Sequence, residues 1–145
     1  MRLLRVDAAQ ADAFARGETG PWPLAPGWPH AATVAGLGFA RSGGLQCLVI
    51  DDDGRIAGEC GTKLPPRDGV VEIGYGLAAP SRGQGLGGRA VGELVAMLRS
   101  MPEVTTIEAE VHVSNVASRR LVERLGFVTE GEPAGGYLRY RLRAR

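Results

Sequence analysis

The sequence has little cysteine, few aromatic residues and almost no net charge. Its two cysteines, Cys47 and Cys60, lack both the C-x-x-C spacing of redox motifs and the spacing of metal ligands. We expect both to be small buried residues of a protein in a reducing compartment. A formal net charge of +1 argues against a general nucleic-acid binder, because such domains usually carry a strong basic excess.

Long apolar runs are absent as well. No run approaches the ~18 residues that a membrane span needs, and the N-terminal stretch MRLLRVDAAQADAF lacks the apolar segment of a signal peptide. The sequence therefore predicts a cytoplasmic protein with neither a membrane nor a nucleic acid as partner. Residues 1–145 are expected to form a single domain that buries about two thirds of its unfolded surface.

What the sequence does contain is a regular succession of short apolar patterns. They follow the order βααβββαβαββ, which predicts an α/β protein with a mixed sheet and helices on its faces. Strands are predicted at 2–6, in a hairpin over 45–64, and at 70–77, 104–113, 127–132 and 137–143. Helices are predicted at 7–17, 31–41, 86–100 and 115–125.

The most unusual stretch is SRGQGLGGRA, residues 81–90, which places four glycines between a predicted strand and a predicted helix. Such a turn presents backbone N–H groups and a helix N-terminus to an anion. The stretch satisfies G-x-G-x-x-G, but a P-loop needs Lys and Ser or Thr where Arg89 and Ala90 stand. A dinucleotide loop should follow the first strand rather than the fourth. A plain tight turn would need fewer glycines.

A third interpretation explains more of the chain. RGQGLG fits R/Q-x-x-G-x-G/A, and residues 108–132 carry Asn115, Ser118 and a terminal Leu125-Gly126-Phe127. With these two motifs the sequence resembles the GNAT superfamily of N-acetyltransferases, and within it the Rim-type, ribosomal-protein acetyltransferase-like members. The resemblance is strong over residues 70–132. It implies the GNAT fold, a mixed and mostly antiparallel central sheet flanked by helices on both faces, with acetyl-CoA as acyl donor and no metal.

The resemblance also implies how coenzyme A would be held. The backbone of Leu77, Ala78 and Ala79 would pair with the pantetheine amides as an added strand does. N–H groups of the glycine loop would ring the pyrophosphate, helped by the dipole of the following helix. The loop residues are Arg82, Gly83, Gln84, Gly85, Leu86, Gly87 and Gly88. Asn115 and Ser118 would touch the pantetheine and the adenosine-side portion, and capping of the helix that begins there is their alternative role.

Acetyl transfer to an amine needs a carboxylate that takes the ammonium proton. The resemblance assigns this role to Glu110, with Glu72 as the second candidate. Either residue could instead be a solvated or salt-bridged strand carboxylate. Many family members carry a tyrosine seven residues after the motif asparagine, where this chain has Val122. The tyrosines that remain in the chain are Tyr75, Tyr137 and Tyr140.

The Pro- and Gly-rich segment GPWPLAPGWPHAAT, residues 20–33, falls where the family builds its acceptor wall. Trp22, Trp28 and His30 are expected to line the acceptor pocket, although both tryptophans could merely plug the sheet edge. The expected activity is acetyl transfer from acetyl-CoA to a primary amine, either a protein N-terminus or a small-molecule amine, by a monomer or homodimer. The alternative is a non-catalytic acyl-CoA-binding sensor or regulatory module, which the missing tyrosine keeps open.

Overall fold

Every strand and helix of the predicted order is present in the computed structural model, which describes residues 1–145. The strands are β1 (Arg2–Val6), β2 (Gln46–Ile50), β3 (Ile56–Thr62), β4 (Val70–Leu77), β5 (Thr106–His112), β6 (Val128–Ala134) and β7 (Tyr137–Arg143). The α-helices are α1 (Ala8–Ala15), α2 (Thr33–Gly38), α3 (Leu86–Arg99) and α4 (Val116–Arg124). Two 3-10 turns cover Phe39–Ser42 and Ala79–Ser81.

Local signals account for most of these boundaries. Asp7 accepts from the N–H of Gln10, and the Gln10 side chain accepts from the N–H of Asp7, so α1 begins with a capping box. Only the second predicted helix, residues 31–41, is clearly too long. Its α-helical part, α2, has six residues before the 3-10 turn, and its glycines Gly36 and Gly38 weaken a longer helix.

All seven strands form one sheet in the order β1-β2-β3-β4-β5-β7-β6. Every neighbouring pair is antiparallel except β4 and β5, which are parallel. The mixed, mostly antiparallel sheet expected from the sequence is therefore confirmed. No helix of the structure has both the length and the apolar character needed to cross a membrane.

Strands β4 and β5 pair over only part of their length. Their register runs from Val70 opposite Thr106 to Ile73 opposite Ala109 and then stops. Beyond this point β4 stays paired with β3 as far as Leu77, and β5 stays paired with β7 as far as His112. The two parallel strands thus separate while each keeps its outer neighbour, which opens a cleft in the middle of the sheet.

Helices cover both faces of the sheet, as expected. On one face α3 and α4 pack on the apolar side of β4 and β5, where Val71, Ile73 and Ile107 are buried. On the other face α1 and α2 pack on β1, β2 and β3. Cys47 and Cys60 are opposite one another on β2 and β3 and are buried free thiols, so their predicted burial is confirmed.

Candidate active site

The open edge of β4 in the cleft offers backbone groups to a ligand. The N–H of Ala78 donates to the carbonyl of Ala57 on the β3 side, at 2.8 Å. Ladder bonds alternate along an antiparallel pair, so Leu77 directs its N–H away from β3 and towards the cleft. The N–H of Ala78 is therefore used within the sheet, and pairing of the backbone of Leu77, Ala78 and Ala79 with pantetheine stays a prediction. Leu77 has the orientation that a backbone partner needs.

The glycine loop shapes the start of α3. Gly83 and Gly85 both have φ +78°, a left-handed conformation that glycine adopts without strain. Helix α3 begins directly after Gly85 and has no side-chain cap, so its first-turn N–H groups and the positive end of its dipole face outwards. A methyl group at Gly87 would lie 3.1 Å from Leu121 of α4, so this glycine lets the two helices pack closely.

Asn115 and Ser118 lie at the start of α4, on the helix-covered side of the cleft. The Asn115 side chain accepts from the N–H of Ser118 at 3.1 Å, so the capping role that the sequence suggested is present. The Ser118 hydroxyl is hydrogen-bonded to the hydroxyl of Tyr75, which comes from the diverging part of β4. Burial raises the pKa of Tyr75, and the hydrogen bond to Ser118 opposes that change. Contact of Asn115 and Ser118 with coenzyme A stays a prediction.

The two predicted carboxylates occupy different places relative to the cleft. Glu110 lies one position beyond Ala109, the last residue of β5 that is paired with β4. Its side chain is 38% exposed and is bonded to Arg139. Glu72 is opposite Glu108 in the paired segment and bonds Lys63. Both are salt-bridged strand residues, as one interpretation of the sequence had it. Only Glu110 lies where the strands separate, so the geometry favours it over Glu72.

The structure separates the three predicted acceptor-wall residues. Trp28 is only 4% exposed and packs edge-to-face on Phe14, with ring centroids 5.7 Å apart. Trp22 is half-buried, and the guanidinium carbon of Arg2 lies over its indole, 4.8 Å from the centroid of the Trp22 ring. Trp28 thus belongs to the core between the sheet and α1. The half-buried His30 is the member of the three that stands beside the cleft.

A buried glutamate that sequence reasoning missed links this segment to the sheet. The side chain of Glu59, on β3, is 5% exposed, and its Oε2 accepts from Trp28 Nε1 at 2.9 Å and from the Thr33 hydroxyl at 3.3 Å. Its Oε1 lies 2.7 Å from His30 Nε2. Burial raises the pKa of Glu59 and these donors partly offset the rise. The sequence feature that could have indicated this buried glutamate is its position as the one charged residue among the small and apolar residues of IAGECGT.

Gly76 marks where this cluster meets the cleft. It is opposite Glu59 in the β3–β4 register and lies in the part of β4 that has left β5. A methyl group at Gly76 would be 2.9 Å from Nε2 and Cε1 of His30 and 3.2 Å from Oε1 of Glu59. The imidazole and the carboxylate therefore lie directly against the bare face of β4, opposite the face that α3 covers.

Replacing Trp28 tests whether it is a core residue. We expect Trp28→Ala to lower the free energy of unfolding by about 3–5 kcal/mol, because it removes a buried indole and one donor to Glu59. Trp22→Ala is the matched control and should lower the free energy of unfolding much less, since Trp22 is half-buried. Urea denaturation measures both. An equal, small loss in the two variants would contradict the core assignment.

The fold and the cleft define a class of α/β proteins in which a glycine loop leads from a strand into a helix beside two diverging parallel strands. The model of the Acetyltransferase (GNAT) domain matches residues 4–128, and the chain belongs to this family.

One curated relative resembles the chain in sequence, and solved structures share its fold. The uncharacterized N-acetyltransferase p20 of Bacillus licheniformis is 29% identical over 85 residues, 58% of this chain. The alignment spans 48% of that protein, so the chain matches about half the length of this curated relative. The aminoglycoside acetyltransferase AAC(6')-Ib, in complex with coenzyme A, superposes with a TM-score of 0.68 at 22% identity, over 97% of this chain and 93% of that one. The Vibrio cholerae spermidine N-acetyltransferase with CoA and spermine gives 0.61 at 18% identity, over 70% and 66%.

Proposed function

We propose that this chain is an N-acetyltransferase that moves an acetyl group from acetyl-CoA to a primary amine. The observation that carries the proposal is the cleft between β4 and β5, with the N–H of Leu77 directed into it and the uncapped start of α3 at its end. The amides of a pantetheine arm can pair with the backbone of β4, and the negative charge of a pyrophosphate suits the N-terminus of α3. Membership in the family supports the same donor.

In the proposed complex the pantetheine arm lies along Leu77 and Ala79, and the loop from Arg82 to Gly88 surrounds the pyrophosphate. This places the thioester near the point where β4 and β5 separate. Glu110, at that point on β5, is the proposed acceptor of the ammonium proton. The neutral nitrogen then attacks the carbonyl carbon and loses its second proton to solvent, the C–S bond breaks, and the sulfur leaves as a thiolate that gains a proton.

Tyr75 is the proposed source of that last proton. Its ring comes from the diverging segment of β4 and its hydroxyl is bonded to Ser118 at the start of α4. The other two tyrosines lie on β7, where Tyr140 bonds Glu123 and Tyr137 stacks on His112. Val122, which stands at the family's tyrosine position, is fully buried in the core. Tyr75 thus approaches the cleft from the strand rather than from the helix.

Removing the Tyr75 hydroxyl should lower activity only modestly. We expect Tyr75→Phe to reduce kcat by about tenfold, because a thiol with a pKa near 8.5 leaves as a thiolate without full protonation. The affinity for acetyl-CoA, measured by calorimetry, should stay within about threefold. Ser118→Ala is the control that keeps the phenol and removes its partner. An unchanged kcat in Tyr75→Phe would remove Tyr75 from the mechanism.

The acceptor is proposed to be a primary amine presented from the face that carries Gly76. Spermine, in complex with the Vibrio cholerae enzyme, and kanamycin, in complex with AAC(6')-Ib and coenzyme A in a second structure of that enzyme, are polycationic small molecules. A protein N-terminus, the acceptor that the Rim-type resemblance implies, has the same nucleophile. Both classes therefore belong to the proposal, and the assay has to include both.

Release of free thiol from acetyl-CoA tests the function. The purified chain is incubated with acetyl-CoA and a panel of polyamines, an aminoglycoside, free lysine and short peptides with free N-termini. Amine-dependent release of coenzyme A and an acetylated product of the expected mass would support the proposal. Tight binding of acetyl-CoA without release for any amine would instead support a sensor or regulatory module.

A further inference from the structure

The irregular segment before α2 is joined to the sheet in two different ways. Its first part uses the backbone: the N–H of Ala25 donates to the carbonyl of Ile56 at 2.9 Å, and the N–H of Ile56 donates to the carbonyl of Pro23 at 2.8 Å. Residues 26–33 have no backbone hydrogen bond to a strand. Their hydrogen bonds to the sheet come from two side chains, and both end on Glu59.

One carboxylate therefore holds the second part of the segment. Oε2 of Glu59 accepts from the indole of Trp28 and from the hydroxyl of Thr33, at the two ends of residues 28–33. Oε1 lies beside Nε2 of His30, between those ends. Without Glu59 the indole N–H and the hydroxyl would lose their acceptor in a buried place, so the path of these residues depends on this side chain.

Stability does not explain a charged residue at this position. Glu72, Glu108 and Glu110 are paired with lysine or arginine, whereas Glu59 has no such partner. A buried carboxylate without a cation loses its hydration, and neutral donors return only part of that free energy. Buried ionisable groups of this kind are concentrated at functional sites.

The segment that Glu59 holds borders the proposed acceptor face. A Cβ at Gly76 would be 2.9 Å from Cε1 and Nε2 of His30, so the imidazole lies against the backbone of β4. Gly76 belongs to the part of β4 that has left β5, where the amine is proposed to enter. Movement of residues 28–33 would therefore change the space available to the acceptor.

We infer that Glu59 is a positioning residue for acceptor binding, which fixes residues 28–33 as a wall of the acceptor site. It acts through Trp28, His30 and Thr33 and does not touch the reacting atoms. No hydrogen bond joins this wall to the glycine loop, so the binding of acetyl-CoA should not depend on Glu59. This inference rests on the proposed function.

Two substitutions of Glu59 separate an anchor from a charge. Glu59→Leu removes the acceptor oxygens. We expect it to lower kcat/KM for the amine by about 10–100-fold, mainly through KM, because a misplacement of about 1 Å can cost about 100-fold. Glu59→Gln removes the charge but keeps an amide oxygen for Trp28 and Thr33, so its KM should stay within about threefold of wild type. The Kd of acetyl-CoA, measured by calorimetry, should be unchanged in both variants.

Thr62→Val is the control for loss of a buried polar contact on β3. Thr62 is 2% exposed, and its hydroxyl accepts from the N–H of Leu45, outside the wall. This variant should lose stability and keep the wild-type KM for the amine. A folded Glu59→Leu with an unchanged KM, or equal defects in Glu59→Leu and Glu59→Gln, would overturn the inference.

Gly76→Ala moves the same wall without a change at Glu59. Because its methyl group would be 2.9 Å from His30, the ring must shift. The KM for the amine should therefore rise while the Kd of acetyl-CoA stays the same. This variant decides the question if Glu59→Leu does not fold, and a wild-type KM in Gly76→Ala would then overturn the inference.

Hydrogen exchange of the indoles provides a readout without any acetyl transfer. The N–H of Trp28 is buried and bonded to Glu59, so it should exchange slowly in wild type and in Glu59→Gln, and faster in Glu59→Leu. Trp22→Ala identifies the signal. Fast exchange in wild type would overturn the inference even in an active enzyme. An inactive wild type with slow exchange would contradict the proposed function instead.

Discussion

Gly85→Asp is expected to lower the affinity for acetyl-CoA by about 1000-fold in a protein that still folds. The glycine is the last residue before α3, so a carboxylate there would face the proposed pyrophosphate position. Two like charges ~4 Å apart at an effective dielectric constant of about 20 repel by about 4 kcal/mol, which is a factor of about 10³ in Kd. The substitution also opposes the positive end of the helix dipole.

The fold should tolerate this change. No atom lies within 4 Å of the position that a Cβ would take at Gly85, so there is space for the side chain. The φ of +78° costs a non-glycine residue about 1 kcal/mol, and aspartate and asparagine adopt this region more readily than most residues. Circular dichroism and urea denaturation should therefore show a folded, slightly destabilised protein.

Gly85→Asn separates charge from shape. It has the same size and backbone strain as the aspartate variant but no charge, so its Kd for acetyl-CoA by calorimetry should rise far less. The difference in Kd between the aspartate and asparagine variants should become smaller in 1 M salt, because charges are then screened within about 3 Å. If Gly85→Asp binds coenzyme A like the wild type, the loop does not hold the pyrophosphate.

The loop and the strand before it could be predicted because their causes are local. The bounds of β4, residues 70–77, follow from alternation in VVEIGYGL, and the start of α3 follows from the glycines that precede it. The left-handed conformations of Gly83 and Gly85 explain why that residue type is present. Sequence patterns of this kind report on neighbours along the chain.

The cluster around Glu59 could not be predicted in the same way. Its contacts join residues 26 to 31 positions apart, from an irregular segment to a strand. No periodicity describes residues 20–33, because prolines and glycines set their path. Trp28 and His30 are two residues apart, yet one is in the core and the other is beside the cleft. That difference arises only when the segment packs on β3 and α1.

Glu110→Gln is the second change with a large expected effect. We expect kcat/KM to fall by about 10²–10⁴-fold, the usual range for loss of a general base. The amide oxygen can still accept from Arg139, so the side chain should keep its place. Binding of acetyl-CoA should not change, since Glu110 lies at the cleft and away from the glycine loop.

Glu108→Gln is the matched control. Glu108 is on the same strand and face, also bonds Arg139, and is more buried, with a side chain 14% exposed. It lies opposite Glu72 where β4 and β5 are still paired, so it has no access to the cleft. This variant should lose more stability and less activity than Glu110→Gln. The reverse order would show that the ion-pair network matters to activity and that Glu110 is not the base.

The pH dependence of the Glu110→Gln defect follows from the acceptor. Raising the pH lets solvent deprotonate the amine, so the variant should recover part of its rate in alkali. The rate of the variant should recover at a lower pH with an α-amine of pKa ~7.8 than with a lysine-type amine of pKa ~10.4. Neutralising the latter costs about 3.5 kcal/mol more, at 1.36 kcal/mol per pKa unit. Rates with a peptide N-terminus and with a polyamine, measured from pH 6 to 10, should show two separate recoveries. A defect that is the same at every pH and with both amines would place the role of Glu110 in structure rather than in proton transfer.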